Sequence, residues 1–107
     1  MADEATKNET IKQVEVEGYS FTVDTDLLDD VEAFEQINRI ENEGKIAAIV
    51  PLLKFLVGDK GYEGLKTHFA TLDAEAHKDQ PDYKGRFRVS KLNDVYMAII
   101  EKFDPKG

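Results

Sequence analysis

The segment KIAAIVPLLKFLVG, residues 45–58, decides what kind of fold this chain can adopt. Its apolar run from Ile46 to Val57 is twelve residues long, which is long for a strand and suits a buried helix. It is shorter than the roughly 18 to 20 residues that a membrane-spanning helix needs, and Pro51 and Lys54 interrupt it. Pro51 either kinks this helix or sits in the first turn of one beginning near Val50. Gly58 ends it. A segment apolar nearly all round must be covered by other elements, so the rest of the chain has to supply them.

Downstream, Asp59 is placed to cap a further helix with Tyr62, Leu65, Phe69 and Leu72 on one face. Gly61 and Gly64 each weaken that helix by up to about 1 kcal/mol relative to Ala. Close packing against the preceding helix would account for them. Residues 73–88, DAEAHKDQPDYKGRFR, show no period and read as a long connection in which a hinge or lid would fit. Ser90 then caps a last helix whose stripe is Leu92, Val95, Tyr96, Ile99, Ile100 and Phe103, stopped by Asp104-Pro105.

Upstream, Val14 and Val16 alternate with Glu15 and Glu17, and Tyr19, Phe21 and Val23 alternate with Ser20 and Thr22. Gly18 stands at the join, so the pattern is a β-hairpin with an apolar face. Such a hairpin is marginal alone and must pack on helices. The next stretch, DTDLLDDVEAFEQI at 24–37, carries six carboxylates. Asp26 is placed as an N-cap, and Asp29 and Asp30 suit the positive end of the helix dipole. Leu27, Val31, Phe34, Ile37 and Ile40 make one stripe, so a helix is expected over about 27–42, with Gly44 as its stop.

Those readings assemble into an α+β fold, mostly α: an N-terminal β-hairpin followed by about four helices. Residues 1–10 are expected to be a disordered arm, residues 11–104 one domain, and residues 105–107 a tail. A chain of 107 residues can bury roughly 65 % of its unfolded surface, so its core is small. No cysteine is present, which removes disulfides, thiol nucleophiles and thiolate metal sites. The first ten residues lack the apolar core of a secretory signal, so a cytoplasmic location is expected.

The carboxylates do not make a chemical site. Read from Asp24 as an EF-hand loop, position 5 is Leu28 and position 6 is Asp29, where an oxygen ligand and Gly are required. The acids fall on the solvent side of an amphipathic helix, which leaves capping and solvation as their work. His68 and His77 are nine residues apart and match no helical ligand pair. GDKGYEG, residues 58–64, lacks the Lys-Ser/Thr ending of a phosphate loop. No catalytic, metal or cofactor constellation is expected, and an enzyme is disfavoured.

Charge narrows the partners. The net charge is −8, with −10 on residues 1–43 and +2 on residues 44–107. An acidic surface repels phosphates, so nucleic acid is not an expected partner, and neither is a membrane. Arg86 and Arg88 flank Phe87 in a small basic-aromatic patch that reads as a partner or self-contact. The asymmetry allows the acidic part of one copy to face the basic part of another.

The order of elements resembles the tail assembly chaperones of long-tailed bacteriophages, especially those of Gram-positive hosts. The resemblance rests on a strand pair leading into LLDDVEAFEQI, on LLKFLVGDKGYEGLKTHF, and on GRFRVSKLNDVYMAIIEKF, together covering residues 14–103. It implies a non-enzymatic protein of the host cytoplasm, absent from the finished virion. Such a protein binds and solubilises the long helical tape measure protein and helps bring tail tube subunits to it. Many members are made in two lengths by ribosomal frameshifting, and the short form would correspond to this chain. Leu52, Leu53, Phe55 and Leu56 are then the candidates for client or self-contact, and a homo-oligomer is expected. The rival reading is an acidic mimic of DNA that blocks a DNA-binding enzyme. Its acids, however, are crowded into the first 43 residues and are not spread along a face.

Overall fold

The computed structural model describes residues 10–103. Strands β1 (Ile11–Val16) and β2 (Tyr19–Asp24) pair antiparallel, with Val14 opposite Phe21 and Val16 opposite Tyr19. The two-residue turn has positive φ at both Glu17 (48°) and Gly18 (85°), the twist that matches the strands. A glutamate tolerates this conformation poorly, and tertiary contacts hold it there. The His68 Nε2–H donates to the Glu17 carbonyl at 3.0 Å, and Lys91 pairs with the Glu17 carboxylate.

A 3-10 helix over Thr25–Asp29 follows, then helix α1 (Val31–Glu41). The expected helix over 27–42 therefore starts four residues late, and its cap is Asp30, not Asp26. Asp30 accepts from the Glu32 N–H at 2.8 Å, and Asp24 accepts from the Asp26 N–H at 3.0 Å. The expected stripe is only partly buried. Ala33 and Ile40 are buried, whereas Val31 and Phe34, expected to face inward, are 69 % and 68 % exposed.

Helix α2 (Ile49–Ala76) joins the second and third expected helices into one element of 28 residues. The described chain thus has three helices where about four were expected. The intended break is nonetheless present at Gly58, whose φ of 80° and ψ of 167° are non-helical. Pro51 lies in the first turn, where its missing N–H has no intrahelical acceptor, and it makes no kink. Space at Gly61 is taken by Val57 of the preceding arm, as expected. Space at Gly64 is taken by the Tyr19 hydroxyl of the hairpin instead. Helix α3 (Val89–Phe103) closes the chain, with Ser90 inside its first turn and not at its cap.

The core lies where α2 and α3 meet the inner face of the hairpin. Ile49, Leu53, Leu65, Val95 and Val14 have no exposed surface. Helix α3 packs on β1, α2 on β2, and α1 on α2. Of the expected arm, residues 1–9 lie outside the described residues, as do the tail residues 105–107. Thr10 belongs to the fold: its hydroxyl donates to Asp24 at 2.7 Å, and its carbonyl accepts from the Thr25 hydroxyl. Among the described residues no helix is long and apolar enough to cross a membrane.

Candidate functional site

The four residues singled out for client contact are mostly core. Leu52 is 1 % exposed, Leu53 0 % and Leu56 6 %, and Phe55 is half-buried against them. The physical reason is geometric. The first arm of α2 places Ile49, Leu52, Leu53 and Leu56 in one buried cluster that residues of the hairpin, α1 and α3 complete. Apolar surface open to a partner lies elsewhere: Ile11, Ile46, Met97 and Phe103 are exposed, and two further places set exposed apolar residues beside charge.

The first is a groove of about 480 Å³ between the second arm of α2 and the start of α3. Val50, Tyr62, Ala70, Phe87, Val89 and Leu92 line it, with Lys66 and Arg86 at its edges. Val89 is 66 % exposed there. Lys54 adds a third cation, its ammonium 5.2 Å from the centre of the Tyr62 ring. The second is the outer side of α1, where Val31 and Phe34 stand among exposed Asp30, Glu32 and Glu35.

One wall of the groove is built by the connection after α2, which is strapped down. Asp73, inside α2, accepts from the Tyr83 hydroxyl at 2.5 Å, from the Arg86 backbone N–H at 3.0 Å and from Arg88 Nε at 3.2 Å. His77 stacks on Tyr83 with ring centres 4.1 Å apart, and its Nδ1–H donates to the Asp73 carbonyl at 2.8 Å. Phe87 stacks on buried Phe69 at 5.3 Å. Gly85 presses onto the α2 backbone so closely that any Cβ there would overlap the Ala70 carbonyl oxygen. The connection in which a hinge or lid would fit is thus tied to α2 by these contacts. The Tyr83 hydrogen bond, followed by the Arg88 and Arg86 contacts, holds the Asp73 carboxyl down at about 2.

Of the basic-aromatic patch at 86–88, only Arg86 is exposed, because Phe87 joins the core and Arg88 joins Asp73. A smaller hollow of about 230 Å³ lies beside the strap, over Phe69, Leu72 and Ala76. Three cations line it: Arg88 and Lys91 are already paired with Asp73 and Glu17, and Arg86 is shared with the groove. Neither Val31 nor Phe34 was legible as surface from the sequence. Their spacing matched a core stripe, but α1 packs on α2 through Ala33 and Ile40, which leaves Val31 and Phe34 outward. Among the described residues no three His, Asp or Glu side chains converge as a metal site would require. No family model, curated protein or solved structure matches the chain.

Proposed function

We propose that this protein is a non-enzymatic phage tail assembly chaperone, acting in the bacterial host cytoplasm. It binds and solubilises the tape measure protein and helps recruit tail tube subunits. The observation that carries the reading is the open groove between α2 and α3. An apolar trough flanked by charge is the form that receives the apolar face of a helix. A long helical client offers such faces repeatedly, and several copies along it make an oligomeric assembly. The resemblance over residues 14–103 supplies the identity of the client, and the acidic residues 1–43 keep the complex in solution.

The test is co-expression with a phage tape measure protein. Soluble client is expected with the wild-type chain and lost with Val89→Asp, which puts a carboxylate in the groove. Insoluble client in the presence of abundant wild-type chain overturns the reading.

A further inference from the structure

We propose that the groove between α2 and α3 also receives helix α1 of a second copy of this chain, seated by Val31 and Phe34. Three observations carry this. Val31 and Phe34 are three residues apart on an α-helix, so their side chains lie together on one side. Both are about two-thirds exposed, while Ala33 and Ile40 bury the other side of the same helix in the core. Helix α1 therefore has two apolar faces, and its own fold uses one.

The second observation is charge. The outward apolar pair stands beside exposed Asp30, Glu32 and Glu35, which outnumber Arg39, the one cation of the helix. The groove is bordered by Lys54, Lys66 and Arg86. Lys66 has only a loose, exposed contact with Glu63, at 3.9 Å, so it remains available to an incoming carboxylate. Residues 1–43 carry −10 and residues 44–107 carry +2, so the same polarity runs through the whole chain. The third is connectivity. A helix anchored through Ala33 and Ile40 in its own core cannot also enter its own groove. The surfaces share no residue, so every copy offers one of each. Head-to-tail contacts of this kind either close into rings or continue as filaments.

The regulatory consequence rests on the groove being the client site. The second copy then occupies the groove in the free chaperone, and a client helix displaces it. Charge steers the encounter and sets its salt dependence, while Phe34 and Val89 supply the desolvated contact.

Sedimentation velocity over a concentration series at low and high salt tests the contact with the full chain. The wild type self-associates, and more weakly as salt rises. Phe34→Ser removes the knob, and Val89→Asp with Lys66→Glu blocks the groove. Each change is at an exposed position, and circular dichroism verifies that the fold is retained. Each variant alone loses self-association by about tenfold or more. An equimolar mixture of the two restores a one-to-one dimer, because the intact knob of one meets the intact groove of the other. A monomeric wild type, unchanged association in either variant, or a mixture that stays monomeric overturns the proposal. A monomeric wild type that still solubilises the tape measure protein removes self-docking alone. A restored mixed dimer with no effect on that client removes the chaperone reading alone.

Discussion

The Tyr83 hydroxyl donates to Asp73 across ten residues of chain, and this bond closes the strap that forms one wall of the groove. It lowers the Asp73 carboxyl from the ordinary 3.8 to about 2, helped by Arg88 and the Arg86 N–H. A depressed carboxyl favours the folded state fully above its unfolded value, and the advantage is lost as pH falls from 3.8 to about 2. Urea unfolding measured over that window is expected to show the loss in the wild type. Asp73→Asn is expected to be less stable at neutral pH and flatter in that window. An unchanged slope removes the strap's electrostatic role.

Gly58 carries the break in α2 at φ 80° and ψ 167°, a region open essentially to glycine alone. A Cβ there meets no atom within 4 Å, so the penalty for Gly58→Ala is backbone strain and not collision. Destabilisation of about 1–3 kcal/mol is expected by urea titration. A neutral result would mean that α2 straightens without harm.

Leu53 and Phe34 separate core from surface. Leu53→Ala removes a fully buried side chain and is expected to cost about 2–5 kcal/mol. Phe34→Ser, at 68 % exposure, is expected to change stability by no more than about 0.5 kcal/mol while altering association. Thermal melts at low protein concentration read the first effect apart from the second.

Tyr96 joins α3 to the end of α1, its hydroxyl donating to Glu41 at 2.6 Å. Burial first, and the Glu41 carboxylate second, push its ionisation well above the ordinary 10. The associated stability is complete below pH 10 and is lost as pH rises beyond it. Tyr96→Phe is expected to cost about 1 kcal/mol at pH 7 and to blunt the alkaline loss. Tyrosinate absorbance during alkaline titration checks which tyrosine ionises with unfolding.

The hairpin was legible because its period-two alternation leaves one register with Val14, Val16 and Val23 inward. The helix that begins at Ile49 was legible because a run that apolar has nowhere else to go. Helix α1 was misread for a definable reason. Asp24, Asp26, Asp29 and Asp30 are all competent caps, and local chemistry does not choose among them. At 100° per residue, Ala33, Ile37 and Ile40 cluster about 120° around the helix from Val31 and Phe34. Both sets look like core stripes until packing on α2 selects the one with Ala33 and Ile40.

Asp73 was equally hidden, since its partners lie ten to fifteen residues away in a stretch without period.

By itself the sequence determined the fold class, the hairpin, the break at Gly58 and the apolar face of α3 from Leu92 to Ile100, though not Phe103, which is exposed. Each follows from local periodicity or from one residue's backbone freedom. Only the tertiary structure decided that Leu52, Leu53 and Leu56 are core and that Val31 and Phe34 face solvent. An apolar side chain carries the same hydrophobic drive wherever it stands. Whether that drive is met inside the fold or left for a partner depends on which other elements reach it.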